Sequence, residues 1–279
     1  MWNLDFPDHL NSDTALDIAF PPEQGSLCAI QNNQAGVKAL YKKYDRNTGQ
    51  PSEELKGLKI GQEALGHLHD AFNKTQNNRP LSYVRHELKK LARKCVYCAI
   101  SDAVPLDHFL PRSKYKAHTI YIKNLIPCCE ACNRKKSDFS SSSPDSQFLH
   151  PYLNKLSDTP ILVANFACNE QSYSVDFMIL GKDSLKSDNI RRAFFQFTEL
   201  DLRERYTAEV NDFLFNQQAT FEIFFRQGSV SLRNFLAESY LKSISNSGLN
   251  HWRTALWRAL LQSPGFEKHG LKIFKRTTL

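Results

Sequence analysis

Two Cys-x-x-Cys pairs, Cys95/Cys98 and Cys129/Cys132, constrain this chain more than any other feature. Four thiolates at that spacing satisfy the tetrahedral coordination of a closed zinc site. Such a site is structural, because no coordination position stays open for a substrate. It also ties the thirty residues between the pairs into one folded unit. Cys128 or Cys129 could supply the third thiolate, but only Cys129 keeps the two-residue gap to Cys132, so Cys128 reads as a packing residue. Cys28 and Cys168 stand apart and read as buried free thiols.

Metal is favoured over disulfides because nothing in the sequence suggests an oxidising compartment. The N-terminal stretch MWNLDFPDHLNSDTALDIAF has neither a basic nor an apolar region of the signal-peptide kind. No apolar run approaches the length of a membrane span. The expectation is a cytoplasmic protein without a membrane partner.

The segment between the cysteine pairs is harder to explain as scaffold. Val104-Pro105-Leu106-Asp107-His108-Phe109 reads as a strand, and it sets a hard oxygen ligand beside a titratable imidazole. Side chains alternate along a strand, so Asp107 and His108 can approach one phosphodiester differently, one through a divalent cation and one as a base. Asn133, where a helix would begin after Cys132, is a reasonable second oxygen ligand for a cation such as Mg²⁺. Asn124 could bond the backbone near His108. Arg112, Lys114, Arg134, Lys135 and Lys136 are candidates for contacting phosphate.

Charge supports that reading. The whole chain carries +7, yet residues 79–136 alone hold thirteen Lys/Arg against four Asp/Glu, leaving the other 221 residues at −2. Positive charge gathered on this one segment suits a polyanion.

Around the segment the pattern is largely helical. Residues 1–25 read as irregular, broken at Pro7 and Pro21-Pro22. Apolar spacing predicts helices over 35–44, 61–73 and from Pro80, the last with Leu81, Val84, Leu88 and Leu91 on one face. His67 and His69 fall on the second and read as surface or interfacial residues. The Ser-rich stretch after Lys136 reads as a linker. Two alternating runs, 161–167 and 173–180, predict a β-hairpin. Helices follow to the end, with breaks at Gly228 and Pro264-Gly265, a Phe-rich stripe that reads as core, and a second basic patch in the last 29 residues. The expected domains are 1–79, an N-terminal helical region; 80–137, the core; and 138–279, a hairpin plus helices.

The run C-x-x-C…LDHFLPRS…NLIPCCEACNRKK resembles the zinc-supported HNH endonucleases. Asp107-His108, Pro111, Asn124-Leu125, Cys129-x-x-Cys132, Asn133 and Lys136 follow that family's motif in order, with Asn133 where many members have His. The resemblance covers about a fifth of the chain. It implies a ββα-metal core with a structural zinc; with the patterns on either side, the expectation is an α+β fold in which that core is embedded between N-terminal helices and a mostly α-helical C-terminal region with a β-hairpin. It implies His108 as the general base, Asp107 and Asn133 as holders of a catalytic Mg²⁺ or Mn²⁺, and Asn124 as the residue that orients His108. It further implies a nuclease, DNA favoured over RNA. Members with helical extensions of this kind resemble restriction or anti-phage effectors, some acting beside an ATPase or other sensor protein, as in Septu-type systems. The alternatives are a non-catalytic zinc-knuckle module that binds nucleic acid, an RNA-cleaving enzyme, and a scaffold dominated by its C-terminal helices.

Overall fold

A computed structural model describes residues 4–21, 28–156, 158–180 and 187–276. Two compact units follow one another along the chain, Asn3–Lys155 and Leu156–Leu279.

In the first unit, helix α1 (Ser12–Ala19) occupies a stretch that the sequence reading leaves irregular. Asn11 explains it: the side-chain oxygen accepts from the backbone N–H groups of Asp13 and Thr14 at 2.8 and 3.1 Å, capping a turn that buries Ala15, Leu16 and Ala19. After α2 (Cys28–Gln31), helix α3 (Gln34–Arg46) buries Val37, Tyr41 and Tyr44, a single stripe at helical spacing. Helix α4 (Gln62–Asp70) runs into a 3₁₀ turn (Ala71–Thr75), and α5 (Ser82–Leu91) buries Val84 and Leu88. Each such aliphatic side chain contributes about 1.5–3 kcal/mol by leaving water.

Helix α5 delivers the chain to Cys95. Strands β1 (Leu106–His108) and β2 (Leu125–Pro127) then pair antiparallel, with His108 opposite Leu125 and Asp107 opposite Ile126. Helix α6 (Glu130–Lys136) follows directly and completes the expected ββα core.

The boundaries differ from those read in the sequence, since neither residue 79 nor residue 137 ends a compact unit. The reason lies in residues 148–152. Phe148, Leu149, His150 and Tyr152 are buried. His150 packs on Phe109 at 4.3 Å between ring centres, and the Tyr152 hydroxyl donates to the Leu125 carbonyl at 3.0 Å. The Ser-rich stretch before them is thus an excursion within this unit.

In the second unit, β3 (Leu162–Cys168) and β4 (Tyr173–Ile179) form the expected hairpin, Cys168 facing Tyr173. Asn169 closes its turn by accepting from the N–H groups of Gln171 and Ser172. Helices α7 (Asp188–Glu199), α8 (Leu202–Gln227), α9 (Ser229–Ser247), α10 (Trp252–Gln262) and α11 (Pro264–Arg276) complete it. Gly228, at φ +100°, separates α8 from α9. Phe177, Tyr206, Phe221 and Trp252 form its fully buried aromatic centre, whereas Phe215 on α8 faces solvent.

Pro264 opens a helix where the sequence reading ends one. Proline suits a first helical position because its missing N–H would have no partner there, and Ser263 Oγ accepts from the Phe266 N–H at 3.2 Å. The basic tail therefore rides on α11, which buries Phe266 and Ile273. Among the described residues, no helix is long and apolar enough to cross a membrane.

Candidate active site and metal centre

The four cysteines of the two pairs meet. Their Sγ atoms all lie within 4.8 Å of one another, and all four side chains are buried. Cys98 and Cys129 are 3.9 Å apart. That is far beyond a disulfide bond, and it matches the edge of about 3.8 Å that a tetrahedron with Zn–S bonds of about 2.3 Å requires. Cys129 Sγ also caps α6, accepting from the Cys132 N–H at 3.5 Å. The donor set fits a soft, tetrahedral ion such as zinc. Cys128 lies outside the cluster, fully buried, its thiol pushed upward by burial.

His108 stands on β1 beside this centre. Its Nε2 is 2.9 Å from the Thr119 carbonyl oxygen, which can only accept, so Nε2 carries the proton and Nδ1 keeps its lone pair. Burial lowers the imidazole pKa to about 3; the Thr119 bond opposes that, and the charges of Arg112, Lys136 and His69 reinforce it. The ring is neutral at neutral pH.

Asp107 is also buried, and burial raises its carboxyl above the ordinary value. Its Oδ2 accepts from the Tyr97 hydroxyl and from the Lys136 ammonium, both at 3.0 Å. Lys136 also donates to the His108 carbonyl at 2.8 Å. This corrects the assignment of Lys136 to phosphate binding. Its side chain is sealed inside the core because Lys136 sits four residues after Cys132, on the inner face of α6. Asn133, three residues before Lys136 and half-buried, shares that inner face of α6.

Asn124 uses its whole amide. Its Oδ1 accepts from the Leu110 N–H at 2.7 Å and from the Tyr44 hydroxyl at 3.0 Å, and its Nδ2 donates to the carbonyls of Leu110 and His118. The backbone two residues past His108 is thus gripped at both its N–H and its C=O. Tyr44 in turn lies 3.0 Å from His150 Nε2. His150 Nδ1 accepts from the Tyr152 N–H at 3.2 Å, so Nε2 carries the proton and the relay runs His150 to Tyr44 to Asn124. Gly49 makes room for it: a Cβ at its φ of +75° would stand 2.5 Å from His150 Cδ2.

Comparison with known proteins fits this arrangement. Residues 95–139 match the family model of HNH endonucleases. This segment is an HNH domain. Across 209 residues, 70% of each chain, the protein is 26% identical to protein ea31 of Escherichia phage lambda. Across 84 residues, 28% of this chain and 30% of the relative, it is 32% identical to Septu protein PtuB of Bacillus thuringiensis. No solved structure matches.

The remaining basic candidates lie within the same segment. Arg134 and Lys135 are exposed on α6. Lys114 is exposed and donates to the Asp138 carbonyl at 2.8 Å. Arg112 is half-buried, its guanidinium 5.5 Å from the centre of the Phe72 ring. Tyr44, Phe72, Tyr97 and His150 serve this site without any signal in the sequence. They are ordinary aromatics until the fold brings residues 10 to 106 positions apart together.

Proposed function

We propose that this protein is a metal-dependent HNH endonuclease that hydrolyses phosphodiester bonds in nucleic acid, with DNA as the favoured substrate. The observation that carries the reading is the hydrogen bond from His108 Nε2 to Thr119, which leaves Nδ1 as a fixed proton acceptor next to Asp107. Cys95, Cys98, Cys129 and Cys132 would hold a structural zinc that pins β2 and α6 together. Asp107 and Asn133 would hold Mg²⁺ or Mn²⁺, which supplies Lewis-acid stabilisation of the charge that develops on the phosphoryl oxygens.

The chain's own part is proton transfer and positioning. His108 Nδ1 takes a proton from a water molecule, the water oxygen bonds to phosphorus, and one P–O ester bond breaks. The departing oxygen is protonated from solvent. Asn124 holds the backbone after His108 so that Nδ1 keeps its aim. Arg112, Lys114, Arg134 and Lys135 favour the approach of a polyanion.

The test is plasmid cleavage with Mg²⁺ or Mn²⁺ by the wild type and by His108→Ala. Cleavage by the wild type alone supports the reading. Equal cleavage by both, or none by either on DNA or RNA, removes it in favour of a zinc-knuckle module that only binds. Against that module stands the buried Asp107–His108–Asn124 arrangement, which binding alone does not require.

The similarity to Septu protein PtuB supports a place in anti-phage defence, with an ATPase or other sensor as partner in the cytoplasm. The longer match is to a phage product, so plaque counts on cells expressing the wild type or His108→Ala decide the matter directly.

A further inference from the structure

Two guanidinium groups converge on one aromatic ring beside His108. The Cζ of Arg112 is 5.5 Å from the Phe72 ring centre and that of Arg85 is 5.9 Å from it. The same ring meets His108 edge-on at 4.6 Å. Phe72 lies in the 3₁₀ turn after α4 and Arg85 on α5, both outside the segment that matches the HNH family. Arg85 Nε donates to the Thr75 carbonyl at 3.1 Å, within that same turn, which steadies the guanidinium at the ring. Phe72, Arg85 and Arg112 are all half-buried.

Countercharge is what these two groups lack. Among the described residues, Arg85 and Arg112 have no carboxylate within ion-pair distance. A partly desolvated cation without an anion is unfavourable unless an anion arrives to occupy it. The guanidinium fork suits a phosphate in particular, because it donates two parallel N–H bonds and stacks on an aromatic face while doing so.

We propose that Arg85 and Arg112, steadied on Phe72, form a clamp for a backbone phosphate of the nucleic-acid strand, flanking the bond beside His108. The inference rests on the nuclease reading and assigns the N-terminal helices a share of the substrate grip. The HNH domain supplies Arg112 and the helical flank supplies Arg85, so the grip exists only when both are folded together. A clamp on phosphate positions the strand and reads no base.

The experiment measures binding of the full chain, in a His108→Ala background, to fluorescein-labelled single- and double-stranded DNA and RNA over a KCl series. Arg85→Gln and Arg112→Gln should each weaken binding about tenfold and flatten the slope of log K against log salt by about 0.7–0.9, one phosphate contact apiece. Arg85→Lys should retain most of the salt slope while losing affinity. Arg85→Gln or Arg112→Gln with unchanged melting temperature, affinity and slope overturns the clamp. If Arg85→Gln melts lower, Arg112→Gln and Arg85→Lys decide by the same two readouts. Cleavage by the wild type with no change in slope in the variants removes the clamp and spares the nuclease reading. Slope changes in a chain that never cleaves remove the nuclease reading and spare the clamp.

Discussion

Lys136 Nζ and Asp107 Oδ2 lie 3.0 Å apart in the core of the HNH domain, the lysine side chain fully out of solvent. The pair ties the last turn of α6 to β1, and the second Lys136 bond, to the His108 carbonyl, ties it to the neighbouring residue as well. Breaking a buried pair by removing one partner leaves an uncompensated charge, at a cost of about 3–5 kcal/mol. Lys136→Met should therefore lower the unfolding free energy extracted from urea melts by an amount in that range, with cleavage lost alongside. An exposed phosphate-binding lysine would show neither loss of stability nor a changed melt.

Zinc can be tested on its own. Metal analysis should find about one zinc per chain, and Cys95→Ser should lose both the ion and the fold of its unit, because the binding energy of a structural site is folding energy. Well-folded, zinc-free protein would remove the four cysteines from the account of stability.

The relay onto Asn124 makes a separate prediction. Tyr44→Phe deletes the hydroxyl that joins His150 Nε2 to Asn124 Oδ1, removing buried hydrogen bonds worth about 0.5–1.5 kcal/mol each. In cleavage assays the turnover rate should fall while substrate affinity holds, since the loss acts through the aim of His108. A change in affinity alone would show that the relay has no positioning role.

Acid should destabilise this unit. Burial lowers the pKa of His150 to about 3 and that of His118 to about 4. Each folded pKa is below its unfolded value near 6.5, so the unfolded chain binds more protons between those limits. Stability is then full above pH 6.5 and falls as pH drops, by up to about 1.4 kcal/mol per pH unit for each histidine. Denaturant melts at pH 7, 6 and 5 measure this; His150→Gln should flatten the profile, and an unchanged slope would refute the assignment.

Gly49 offers a steric check. At φ +75° an L side chain is strained, and its Cβ would collide with His150, so Gly49→Ala should destabilise by about 1–3 kcal/mol. A neutral substitution would mean that His150 can step aside without loss.

Much of the centre was legible because its chemistry is local in sequence. The cysteine spacing and the Asp107-His108 step on a short strand depend on neighbours within a few residues; the helix expected to begin at Asn133 instead begins at Glu130, because Cys129 caps it. The hairpin of the second unit was legible for the same reason, as alternation over 161–167 and 173–180. The misreadings have a common cause. Asn11 as a cap, Pro264 as a helix start and Lys136 as an interior residue each depend on which face or terminus the tertiary fold supplies, and a polar or breaking residue does not announce that by type.

The amino-acid sequence by itself supplied the residue types: four cysteines at metal-binding spacing, and a carboxylate, an imidazole and two amides in the order of the HNH motif that it resembles. Only the tertiary structure decided how those groups are poised. It buried Lys136 against Asp107, chose the His108 tautomer through the Thr119 carbonyl, locked Asn124 through Tyr44 and His150, and brought Arg85 to Phe72. Each of these is a contact between segments distant in the chain. Such contacts are set by burial, by the need of every buried polar group for a partner, and by the positions of backbone carbonyls, none of which is written in the local order of residues.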